Sequence, residues 1–139
     1  MEPISPGLGA SDLSKTLRVL VVDDYPDCAT SMQLLIGRKH HQVEVAFDAS
    51  EALRVGDALE PRLVLLDVSL PGKDGLEVAR EMRATGWGKR AILVATTGWS
   101  SEADRQRAMD AGFDRYLTKP IEPDTLYRLL ESIAKETAA

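Results

Sequence analysis

Three short runs in this chain are almost wholly apolar: VLVV at 19–22, LVLL at 63–66 and ILVA at 92–95. A strand with one wet face alternates polar and apolar residues, so an unbroken run of this length reads as a strand covered on both faces. Such strands belong to parallel sheets with helices on either side. The predicted strands are 18–22, 42–47, 63–66, 91–96 and 115–118, with stretches of helical period between them. Pro26 opens the first helix, whose apolar face is Cys28, Met32, Leu35 and Ile36 and which ends near Gly37. Ala52, Leu53, Gly56 and Leu59 mark a second helix, and Leu76, Ala79 and Met82 a third. A fourth, 101–111, reads SEADRQRAMDA, with few apolar residues to anchor it, and should be the least firmly packed. Leu126, Leu129, Leu130 and Ile133 recur at i, i+3, i+4 and i+7 and mark the last helix. Strand–helix alternation with right-handed crossovers predicts a doubly wound α/β sandwich, (βα)5, around a five-stranded parallel sheet.

At 139 residues the chain is sized for one domain, expected over 17–136. Residues 1–16, rich in Pro, Gly and Ser, read as a flexible leader, and 137–139 as a tail. With 17 Lys and Arg against 22 Asp and Glu the net charge is −5, and no basic run offers a footprint for nucleic acid. No apolar run approaches the roughly 18 residues that span a bilayer, and the start lacks a secretory pattern. One cysteine and two histidines build neither a disulfide nor a Cys/His zinc site. A cytoplasmic location is expected, and any bound metal should be a hard ion held by oxygens.

In an open parallel sheet ligands bind beyond the carboxyl ends of the strands where strand order reverses; for the order 2-1-3-4-5 this lies between strands one and three. Asp23 and Asp24 follow the first strand and Asp67 ends the third. Gathered carboxylates repel one another unless a cation compensates, and magnesium suits an open acidic cleft handling a phosphoryl group. Taken singly, Asp23 and Asp24 read as helix caps and Asp67 as a turn residue. Thr97 and Lys119, at the ends of strands four and five, shift the balance toward a site. A hydroxyl and an ammonium beside a metal complement a phosphate carried on a carboxylate. His40 and His41 read as a solvated loop and Cys28 as a small core residue. Trp87 reads either as turn packing or as a partner contact.

VLVVDD at 19–24, LLDVSLPGKDG at 65–75, VATTGW at 94–99 and AGFDRYLTKP at 111–120 together resemble the receiver domain of two-component response regulators, over about residues 17–133. The intervals from Asp67 to Thr97 and to Lys119, 30 and 52 residues, agree with that family. The resemblance implies a flavodoxin-like fold with sheet order 2-1-3-4-5. It makes Asp67 the phosphoryl acceptor, Asp24 a direct Mg2+ ligand, Asp23 a ligand through water, and Ser69 a backbone-carbonyl ligand. Thr97 corresponds to the switch hydroxyl, with Thr96 as competitor, Lys119 to the ion-pair lysine and Tyr116 to the responding aromatic; Pro120 is expected after a cis peptide. Implied partners are a histidine kinase or histidine phosphotransfer domain, with a target or second copy docking on the fourth helix, fifth strand and fifth helix. The expected role is a signalling module that catalyses its own phosphotransfer and dephosphorylation. No output domain is expected in the chain, which would make it a stand-alone regulator or, in the flavour of its motifs, the receiver of a hybrid kinase. Ser69 and Trp99, two positions beyond Asp67 and Thr97, are expected to set phosphoryl lifetime, with Trp99 either shielding the group or packing elsewhere. The alternative is a haloacid dehalogenase-like phosphatase, whose motif wants an acid where Ser69 stands.

Overall fold

The computed structural model describes residues 16–70, 72–98 and 101–138, so most of the predicted leader and the last residue lie outside it. In chain order the elements are β1 (Arg18–Val22), α1 (Pro26–Arg38), β2 (Gln42–Ala46), α2 (Ala49–Leu59), β3 (Leu63–Asp67), α3 (Gly75–Arg83), α4 (Gly86–Arg90), β4 (Ile92–Thr97), α5 (Glu102–Ala111), β5 (Arg115–Thr118) and α6 (Pro123–Ala138). The sheet is parallel throughout with order β2-β1-β3-β4-β5, the flavodoxin-like arrangement expected. Among the described residues no helix is long and apolar enough to cross a membrane.

Side-chain alternation sorts the central strands into two cores. Leu20, Val22, Val64, Leu66, Leu93 and Ala95 pack under α2, α3, α4 and α5. Val19, Val21, Leu63, Leu65, Ile92 and Val94 pack under α1 and α6. Both faces being covered, β3 and β4 are buried along their whole length and β1 along all but its first residue, as their unbroken apolar runs predict.

Three strands stop one residue away from the sequence reading, and β4 also starts one residue later, at Ile92. β2 stops at Ala46 because the amide of Phe47 donates to Glu51 Oε1 at 2.8 Å while Asp48 Oδ1 accepts from the Glu51 amide at 2.8 Å. The cap of α2 thus takes the backbone group that the sheet would have used. β3 and β4 each run one residue further, to Asp67 and Thr97, which pair with Thr96 and Thr118. Two polar residues of interest therefore sit on the rigid sheet rather than on loops.

The short helix α4 is absent from the sequence reading. Thr85 caps it by accepting from the Gly88 amide at 2.9 Å, and a Cβ on Gly88 would fall 1.6 Å from the Met82 carbonyl oxygen, so the turn needs glycine there. Its Trp87 is a core residue, 7% exposed, lying over Gly56 and donating from Nε1 to Asp57 Oδ1 at 3.0 Å. Turn packing is the reading that holds. Beside it, Arg83 donates to the carbonyls of Gly112, Gly88 and Ala91 at 2.7–2.9 Å and pairs with Asp114 at 2.6 Å. Asp114 also accepts from the Leu93 amide at 2.9 Å, so one guanidinium joins α3, α4, β4 and the turn into β5.

His41 is a correction. Instead of lying in a solvated loop it is half-buried, and its Nδ1 accepts the Leu17 amide at 3.0 Å just ahead of β1. Burial, then the neighbouring His40, pushes its pKa below the usual 6.5.

Candidate functional site

The carboxyl ends of β1, β3 and β5 meet beyond the point where strand order reverses. Each of Asp23, Asp24 and Asp67 offers an oxygen within 4.8 Å of the others. Asp23 and Asp67 are buried, at 1% and 5% exposure, whereas Asp24 faces solvent. Asp23 and Asp24 do not cap α1, whose N-cap is Tyr25 with no side-chain bond; Asp23 Oδ1 accepts the Tyr25 amide at 3.0 Å instead. Asp67 does shape a turn, accepting the Ser69 amide on Oδ1 at 2.8 Å, while its Oδ2 accepts from Lys119.

Two buried carboxylates side by side need a counter-charge, and the chain supplies part of it. Lys119 Nζ donates to Asp23 Oδ2 at 2.7 Å and to Asp67 Oδ2 at 3.0 Å. Burial works against the ammonium, but those hydrogen bonds and the two charges outweigh it, so the Lys119 pKa is raised above the usual 10.5. The Lys119–Pro120 peptide, expected to be cis, is cis.

Gly75 opens α3 directly against the end of β3. A Cβ there would lie 2.5 Å from the Asp67 carbonyl oxygen and from Val68 Cα, so glycine lets the helix close down on the Asp67 loop. Sequence reasoning quoted this glycine in a motif without giving it a part. Its signal was a glycine directly after a capping acid, Asp74, whose Oδ1 accepts the Leu76 amide at 2.9 Å. Cys28, expected to be core, is half-buried near the acids; burial first, then Asp23, pushes its thiol pKa up, which favours the protonated thiol.

Thr97 is buried at the end of β4, and Thr96, its competitor, is buried beside it, pairing with Asp67 and Leu117 across the sheet. A cleft of about 550 Å³ opens next to Thr97, lined by Val68 and Ser69 from the segment after β3, Leu76 from the first turn of α3, Arg107 from α5 and Tyr116 from β5. Trp99 lies outside the described residues. The group as a whole combines a strand-end carboxylate, a lysine cation on it, further carboxylates fit for a hard metal ion, and a hydroxyl bordering open space. Such a set of groups is complementary in charge and hydrogen bonding to a phosphoryl group.

A model of the response regulator receiver domain family matches residues 19–131. The chain belongs to the receiver family. It is a signalling module of two-component systems. A 14.6 kDa protein of the sodA1 3' region in Leptolyngbya boryana is 37% identical over 113 residues, 81% of this chain and 86% of that one. The response regulator MprA of Mycolicibacterium vanbaalenii is 37% identical over 121 residues, covering 87% of this receiver but 52% of MprA. The receiver thus spans about half the length of the MprA regulators it matches. Among solved structures, a CheY-like response regulator receiver protein from Methanospirillum hungatei superposes with a TM-score of 0.80 at 26% identity, covering 88% of this chain and 96% of that one.

Proposed function

We propose that this receiver, over residues 17–136, takes a phosphoryl group from a phosphohistidine of a histidine kinase or histidine phosphotransfer domain onto Asp67. The observation that carries the reading is the Lys119 ammonium bridging Asp23 and Asp67 within a three-carboxylate group. Asp67 acts as the nucleophile: a carboxylate oxygen forms a bond to phosphorus in line with the breaking phosphorus–nitrogen bond, whose electrons leave on the imidazole nitrogen. Lys119 is placed to neutralise the phosphoryl oxygens as charge shifts.

The donor set fits Mg2+: oxygen ligands only, with Asp24 open to solvent so that the ion can keep several waters. Asp24 and Asp67 would hold it directly with the Ser69 carbonyl, and Asp23, already bound to Lys119, through water. When bound, the ion supplies further neutralisation of the phosphoryl oxygens. Thr97 is read as the hydroxyl that moves onto the phosphoryl group, and Tyr116 as the aromatic that follows it. The altered face, α5, β5 and α6, then binds a target or a second copy. Water hydrolyses the acyl phosphate slowly, because Ser69 brings neither a carboxylate nor an amide side chain to orient it.

With acetyl phosphate and Mg2+ the protein should gain one phosphoryl group by mass spectrometry. Asp67→Asn should gain none, and chelating the metal should abolish labelling. Comparable labelling of the asparagine variant would overturn the assignment.

A further inference from the structure

Tyr116 sits on β5 with its ring half-buried against the core under α5. Over it lies Arg105 of α5, its guanidinium carbon 5.4 Å from the ring centroid, within the range of cation–π attraction. The same tyrosine lines the cleft of about 550 Å³ that borders Thr97. The ring therefore has two neighbouring environments: against the arginine, or deeper in open space beside the threonine. The helix carrying the arginine has Ala108 and Ala111 as its buried residues, so few apolar contacts compete with this one in placing α5 against β5.

We propose that Arg105 is a positioning residue that keeps the Tyr116 ring against α5 and out of the cleft beside Thr97, and so sets how readily the receiver enters its phosphorylated arrangement. This rests on the reading of Thr97 and Tyr116 given above. Thermodynamic reciprocity supplies the consequence. Whatever disfavours the inward ring disfavours phosphorylation of Asp67 by the same factor, so removing the arginine should raise both together.

The test compares wild type, Arg105→Ala and Arg105→Lys, the lysine retaining a cation. Proteins carrying fluorotyrosine are examined by 19F NMR, with Tyr116→Phe assigning the resonance, and contact of the ring with a dissolved paramagnetic agent is measured. If the arginine merely covers a stationary ring, Arg105→Ala makes the ring more accessible, which overturns the proposal. If it holds the ring outward, the alanine variant makes the ring less accessible. The inward fraction then rises about two- to fivefold, the factor expected of an exposed cation–π contact, and the affinity for beryllofluoride, which stands in for the phosphoryl group, rises with it, with Arg105→Lys nearer wild type. Unchanged accessibility overturns it as well. Ring accessibility is read without phosphorylation, so a wild type that is never labelled would sink the proposed function while leaving this inference to stand or fall on the ring.

Discussion

The two faces of the sheet are built from different materials. Under α1 and α6 the helices contribute large apolar side chains, with Ile36, Leu126, Leu130 and Ile133 at 0–1% exposure and Met32 and Leu129 below 10%. Under α2, α3 and α5 the buried helix positions are largely small: Ala49, Ala52, Gly56, Ala79, Ala108 and Ala111. Trp87 fills the space over Gly56 at one end of that face, whereas α5, at the other end, has no comparable anchor among its described residues. Burying a leucine or isoleucine contributes roughly 1.5–3 kcal/mol and an alanine methyl about 0.8 kcal/mol, so α6 is held several kcal/mol more firmly than α5. The lesson is that one sheet carries heavily anchored helices on one side and a lightly anchored helix on the other. The candidate site lies at their common edge.

Truncating the anchor should produce the largest effect. Ile133→Ala is expected to cost about 2–5 kcal/mol in denaturant unfolding, the range for a fully buried aliphatic side chain. Ala108→Gly on α5 should cost about 1–2 kcal/mol, from one methyl and the helix penalty of glycine. Equal losses would break the contrast between the faces.

Hydrogen exchange sharpens it. Amides of α5 should open with a free energy below that of global unfolding, while those of α6 from Leu126 to Ile133 exchange only with the whole domain. Equal protection of the two helices would mean that capping and ion pairs, such as Ser101 with Asp104 and Asp104 with Arg107, anchor α5 as well as apolar burial does.

The smallest effect concerns Lys119, which joins β1, β3 and β5 and so belongs to neither face alone. Its pKa is raised in the folded state, so its stabilising contribution is complete below the unfolded value near 10.5 and is lost as pH rises through the folded value. The stability gap between wild type and Lys119→Met should therefore narrow above pH 10.5, without a selective rise in α5 exchange. A gap that stays constant up to pH 12 would show that Lys119 stabilises through its hydrocarbon stem instead.

Much of this molecule was legible because its signals are local. The apolar runs at 19–22, 63–66 and 92–95 announce strands covered on both faces, and the i, i+3, i+4, i+7 leucines announce α6, since periodicity depends only on neighbours along the chain. The polar residues that end those strands announce where a site must be, because a parallel sheet puts all its strand ends on one side. Tertiary structure decided the particular pairings and their distances. The cation for Asp23 comes from Lys119, 96 residues away, and the partner of Trp87 from Asp57, 30 residues away. Gly88 is required by a backbone approach that no pattern announces, and His41 became an acceptor because β1 ends its lead-in beside it. Strand and helix character is set by short-range sterics and burial, but charge pairing and close packing depend on distances that exist only after the sheet has assembled.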